Sequence, residues 1–167
     1  MATGSFASAA MFLAPAAALF MSGYSAAATH LVLPLLYRDH PARITTPMFR
    51  HTFYEGGKVA IPCTLGSSAM AALAAYLCVD TSQRALYLAA MATTLGTTPI
   101  TLLIMMPGIK RLIAISESPA EQEKCDQTLE HRQLLKSWSF WNGVRVVLYL
   151  CGGCVGLWAG VFGGTPT

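Results

Sequence analysis

The sequence predicts an all-α, polytopic membrane protein, a four-helix bundle with a polar, partly helical connection before its last span. Three observations predict it. Of 167 residues, 54% are hydrophobic and 11% are charged, less than half the roughly 25% of a soluble globular chain. The charges are segregated: residues 1–37, 59–79, 85–109 and 146–167 carry none, and each run is long enough for the about 20 residues that cross a bilayer. None of these runs alternates apolar with polar residues as a porin strand does. Lipid offers backbone amides no partner, so the runs must close their hydrogen bonds as helices.

Spans are expected at roughly 9–36, 52–78, 85–107 and 138–162. In the first, Pro15 and Pro34 fall near the two ends, where a helix tolerates them. Small residues at Ser25-Ala26-Ala27-Ala28 resemble a signal-peptide cleavage site, but no Lys or Arg precedes Arg38, and a signal peptide needs a basic n-region. The second helix is expected to start between Pro47 and Thr52, and Asp80, Thr81, Ser82 and Gln83 make the turn after it. In the polar segment that follows the third, Ser118-Pro119-Ala120-Glu121 combines a capping hydroxyl, a proline at the first helical position and a Glu three residues on. This capping box predicts a helix over 119–137, outside the membrane. Without internal repeat or low-complexity linker, 1–167 is expected to be one transmembrane domain.

Most Lys and Arg lie in the connections 38–58 and 108–141, including Arg38, Arg43, Arg50, Lys58, Lys110, Arg111, Lys124 and Lys136. The positive-inside rule places both on the cytoplasmic side, with Trp138 and Trp141 at that interface. A net charge of +3 divided between such segments gives no basic patch for nucleic acid. Gly152, Gly156 and Gly160 on the fourth helix, and Ser67, Ala71 and Ala75 on the second, form small-residue stripes on which helices associate closely in lipid.

The residues able to do chemistry gather at the cytoplasmic end. His30 lies in an uncharged run, where an ionisable side chain is a functional candidate; a neutral histidine bonded to a neighbouring helix is the bland alternative. His51, Tyr54, Glu55 and Lys58 share one helical face at i, i+3, i+4, i+7 spacing, which suits a solvated helix start equally. With His30, the pair His51 and Glu55 would make a two-His, one-carboxylate set suited to Fe(II). Trp138, Asn142 and Arg145 form a second stripe, with Tyr149 one turn on, and polar groups on such a stripe belong in the bundle interior or on a polar ligand. Snorkelling is the alternative for Arg145.

Five cysteines do not make a complete disulfide framework. Cys151-Gly152-Gly153-Cys154 in a membrane helix invites comparison with vitamin K epoxide reductase. Such an enzyme needs a second cysteine pair in a loop, and 38–58 holds none. Cys63 and Cys78, about 22 Å apart along one helix, cannot bridge, so packing cysteines are expected.

Taken together, Tyr54-x-x-Gly57-Lys58 followed by Pro62, then Thr98-Pro99-x-Thr101 leading to Met105-Met106-Pro107, and Trp138-x-x-x-Asn142-x-x-Arg145 resemble the anthrone oxygenase family of small membrane proteins. Gly23 and Pro34 in the first helix agree with it. The chain departs at Pro107-Gly108-Ile109-Lys110, where a Thr-Asn pair commonly precedes the basic residue.

This resemblance implies an oxidoreductase of aromatic polyketide biosynthesis that turns an anthrone into an anthraquinone with O2, in the endoplasmic reticulum membrane if fungal. An anthrone carries a doubly benzylic C–H whose removal leaves an enolate able to give an electron to O2. The chemistry asks for a base, for which His30 and His51 are the candidates, and for donors to the oxyanion, for which Lys58, Asn142 and Arg145 are candidates. Tyr54, Met105, Met106, Trp138 and Tyr149 would line the slot for the flat substrate. No nucleotide fingerprint is present, so no organic cofactor is expected. Iron or copper at His30, His51 and Glu55 is the metal-dependent alternative, and a non-catalytic scaffold or transporter is another. The expected partners are the anthrone, O2, the bilayer and, compatibly, a second copy of the chain.

Overall fold

A computed structural model describes residues 2–37 and 40–162; Arg38 and the Gly163-Gly164-Thr165-Pro166 tail lie outside them. All regular structure among the described residues is helical. Helix α1 (Ala2–Ala27) widens into a π turn (Ala28–Val32) and continues as α2 (Leu33–Tyr37). Helix α3 (Ala42–Leu77) begins just after Pro41, earlier than the sequence suggests, and carries Pro47 in its second turn, where the proline leaves one carbonyl of the preceding turn without its helical N–H. Helix α4 (Thr81–Leu95), the short α5 (Thr97–Pro99), a second π turn (Ile100–Met105) and α6 (Met106–Glu117) make the third long rod. Helix α7 (Pro119–Thr128) and α8 (Glu130–Phe162) complete the chain. Four stretches, Ser8–Leu36, Ala42–Leu77, Thr81–Glu117 and Glu130–Phe162, are long and apolar enough to cross a membrane, as the uncharged runs predict.

The chain divides into two compact units, one from residues 1–23, 60–97 and 146–167 and the other from 24–59 and 98–145. The first is built on small residues. Ala10, Ala74, Ala75 and Ala159 are buried with Met11, Cys78 and Tyr87. A Cβ added to Gly152 would sit 2.7 Å from Thr94 Oγ1, and one on Gly153 would meet Leu19 at 2.6 Å. The glycine stripe of α8 is therefore occupied by the chain's own helices, as close packing in lipid requires. Hydroxyls tie the helices of this unit together: Ser67 donates to the Ala14 carbonyl at 2.7 Å, and Ser22 to that of Val146 at 3.0 Å. Asp80 caps α4 by accepting from the Gln83 N–H at 2.8 Å. Gln83 Nε2 in turn donates to the Ala159 carbonyl at 2.9 Å.

The second unit has larger side chains. Leu33, Leu36, Phe49, Met105, Ile109, Leu112 and Leu135 form its core. The polar connection is folded tightly onto it. Ser118 accepts from the Glu121 N–H at 3.4 Å, so the hydroxyl half of the capping box forms, while the Ser118 N–H goes to the Ile115 carbonyl at 3.3 Å and the Glu121 carboxylate to Arg111. The helix it starts, however, stops at Thr128, because Leu129 takes a left-handed conformation with φ 55° and separates α7 from α8. That break lets Cys125 Sγ accept the His131 N–H at 3.2 Å, and both side chains are buried. Asp126 Oδ1 accepts the N–H of Ala42 at 2.6 Å, satisfying an orphan donor of α3 and placing negative charge at its positive end. Arg111 clasps Glu130 through two bonds of 2.8 and 2.9 Å and Glu121 at 2.8 Å, while Arg50 reaches Glu117 at 3.3 Å. Most of the connection's carboxylates are thus spent on holding it together.

Candidate functional site

Nine of the ten residues singled out as catalytic or substrate-lining fall in the second unit, that of 24–59 and 98–145. Their centre is a polar chain linking the first helix to α8. Asn142, 2% exposed, donates from Nδ2 to Thr29 Oγ1 at 2.7 Å and to the Ser25 carbonyl at 3.0 Å. Its Oδ1 accepts from Arg145 Nη1 at 3.1 Å. Thr29 Oγ1 itself donates to the Ser25 carbonyl at 2.9 Å. The amide of Asn142 is therefore committed on both sides, and it is Arg145 that carries cationic donors at this position.

Thr29 and His30 both stand in the π turn Ala28–Val32. A π turn inserts one residue into a helix and is found disproportionately at functional sites. Thr29 faces inward and is buried, whereas His30, the next residue, is exposed. Sequence reasoning missed Ser25 and Thr29. Two hydroxyl residues four apart in an apolar run, within five residues of His30, were the signal that could have found them.

Aromatic and thioether groups surround the start of α8. Trp138 meets Phe49 edge to face with ring centroids 5.6 Å apart, and Phe49 stacks with Phe53 at 6.3 Å. Met105 is buried in the same cluster, with Met106 and Trp138 packed against it. The indole N–H of Trp138 is buried and has no acceptor among the described residues. Tyr54 touches this patch only through Phe53, at 5.8 Å, and is 50% exposed. Phe49 and Phe53 are also additions to the sequence reading.

The remaining predicted residues are placed differently. His51, Glu55 and Lys58 lie on the exposed side of α3, and Lys58 Nζ bonds Glu55 Oε1 at 2.6 Å. The ammonium is thus engaged by its own helix. No group of three His, Cys, Asp or Glu among the described residues is placed to hold a metal ion, so His30, His51 and Glu55 are not assembled as a facial triad. Tyr149 belongs to the first unit, where its hydroxyl lies 2.6 Å from Thr64 Oγ1 and accepts from Thr97 Oγ1 at 3.0 Å. Its phenol is thus held by hydroxyls of its own unit. Cys151 and Cys154 are both free and exposed.

A membrane-length helical chain with an arginine and an asparagine held inside an aromatic-lined unit defines a class of small membrane proteins with one polar centre. The anthrone oxygenase family profile matches residues 49–155, and the chain belongs to that family. It is 27% identical over 161 residues to the anthrone oxygenase encC of Aspergillus fumigatus, covering 86% of this chain and 88% of that protein. No solved structure matches.

Proposed function

We propose that this protein is a membrane oxygenase that converts an anthrone-type aromatic polyketide and O2 to the anthraquinone and water. Family membership supports anthrone oxygenation. The observation that carries the site is the Arg145–Asn142–Thr29 chain within the unit that also holds Phe49, Phe53, Met105 and Trp138.

In this reading an imidazole removes the benzylic proton of the anthrone. His30 and His51, both in the second unit and both exposed, are the two candidates for this base. The enolate oxygen takes hydrogen bonds from Arg145 and from the indole N–H of Trp138, donors set in place before charge develops. The enolate gives one electron to O2, the two radicals join as a C–O bond, and the peroxide is protonated by the imidazolium. Loss of water across the C–H and O–O bonds leaves the second carbonyl, so one O2 supplies one oxygen to the quinone and one to water. The substrate is itself the reductant, and the reading asks for no bound cofactor.

The positive-inside rule puts 38–58 and 108–141 on the cytoplasmic side of the membrane, the endoplasmic reticulum if the source is fungal. A flat polyketide and O2 both partition into lipid, so a site in the bundle can collect the two. The experiment is O2 uptake and quinone formation by the purified protein in detergent, given an anthrone, with metal analysis and a chelator arm. Chelator-insensitive turnover above the spontaneous rate supports the reading. Turnover that follows bound iron or copper would replace it with the metal-dependent one, and no turnover with several anthrones would leave the scaffold.

A further inference from the structure

Thr29 has no role in the residues matched by the family profile, which begins at 49, yet it stands where the polar chain meets the first helix. Its hydroxyl has one proton and gives it to the Ser25 carbonyl at 2.9 Å. What it presents to Asn142 is therefore an acceptor, used at 2.7 Å by Nδ2. The Ser25 carbonyl takes the same amide at 3.0 Å. A side-chain amide has two ends of opposite character. With two acceptors on the first helix, its nitrogen end must face them, and its oxygen end is left for Arg145 at 3.1 Å. Were the amide reversed, its oxygen would face the Ser25 carbonyl, its N–H groups would meet a guanidinium, and Thr29 could bond it only by withdrawing its proton from the Ser25 carbonyl.

The π turn makes this possible. It begins at Ala28 and closes with the Leu33 N–H on the Ala28 carbonyl, a wider register than an α-helix. Thr29 is buried at 6% exposure, so water does not compete for its lone pair.

We propose that Thr29 is a positioning residue for the oxygenation: it fixes the orientation of the Asn142 amide and, through it, the aim of the Arg145 guanidinium. This inference rests on the functional reading above. It assigns Thr29 no contact with substrate, and it makes Arg145 the group through which a change at Thr29 is felt.

The test is steady-state O2 consumption by the full chain in detergent with unsubstituted anthrone, corrected for spontaneous oxidation, for wild type, T29V, T29S, R145K and the T29V/R145K double variant. Misaimed catalytic groups cost up to about a hundredfold. T29V, which keeps volume and removes the acceptor, should lower kcat about tenfold with KM within about twofold, and T29S should restore kcat to within about twofold of wild type. Because Thr29 acts through Arg145, T29V should cost less than about twofold more on the R145K background, the non-additivity expected of residues in one network. Thermal unfolding checks that the variants are folded. If T29V does not fold, Thr29→Cys, a near-isosteric and weaker acceptor, replaces it with the same expected order. Wild-type turnover with T29V unimpaired, a T29S variant as slow as T29V, or a full multiplicative loss in the double variant would each overturn the positioning role alone. A wild type without turnover overturns the functional reading, and this one with it.

Discussion

The hydroxyls of Tyr149 and Thr64 lie 2.6 Å apart, and Thr97 donates to the same phenol oxygen at 3.0 Å, so Tyr149, 1% exposed, is bound on two sides by helices of its own unit. A hydroxyl so enclosed stabilises the fold. Tyr149→Phe should leave KM for an anthrone unchanged and lower stability by about 1–3 kcal/mol, the cost of stranding buried hydroxyl partners. Thermal unfolding alongside KM measures both; a raised KM at unchanged stability would return Tyr149 to the substrate slot.

Arg145 donates to Asn142 from a planar fork, and a lysine cannot reproduce that geometry. Arg145→Ala should reduce kcat by roughly 100- to 1000-fold, the usual loss on removing an oxyanion donor. Arg145→Lys should recover only part of it. Wild-type activity in Arg145→Lys would mean that charge, and not geometry, is what the position supplies.

The exposed free thiols of Cys151 and Cys154 take no part in the proposed chemistry. The double variant C151S/C154S should retain wild-type kcat, and an assay with and without reductant should give the same rate. Loss of activity in either comparison would revive the CxxC redox alternative.

Cys125 behaves oppositely. It is buried at 1% exposure against His131, and burial pushes its thiol above the usual range. Less thiolate at a given pH, together with lack of access, makes it inert. Mass spectrometry after maleimide treatment near neutral pH should find Cys125 intact until the protein is unfolded. Rapid labelling of native Cys125 would show that the α7–α8 junction opens readily.

Gly152 leaves no room for a side chain, since an added Cβ would lie 2.7 and 2.8 Å from the Thr94 and Thr93 hydroxyls and 3.1 Å from the Ala90 carbonyl. Gly152→Leu should destabilise the protein by about 1–3 kcal/mol or more, as overpacking does. Gly143, with nothing within 4 Å of such a Cβ, should accept alanine without loss. Comparing the two melting temperatures tests whether the stripe is packed as described.

The sequence by itself determined the fold class, because uncharged runs of membrane length leave the backbone no choice but helix. It determined the Ser118 cap, which depends on residues three apart, and the role of the glycine stripe, which depends on size alone. It also singled out Asn142 and Arg145, since periodicity on one helix is a local property. Tertiary structure alone decided which hydroxyl Asn142 meets, because Ser25 and Thr29 lie more than a hundred residues away and no spacing rule connects the two helices. The same holds for Tyr149. One turn along a stripe predicts a shared face, but the residues that bond the Tyr149 hydroxyl, Thr64 and Thr97, come from two other helices, which the spacing of one helix does not reveal. Leu129 completes the case: a left-handed leucine has no local signature, and its conformation is held by the Cys125 and His131 contacts on either side of it.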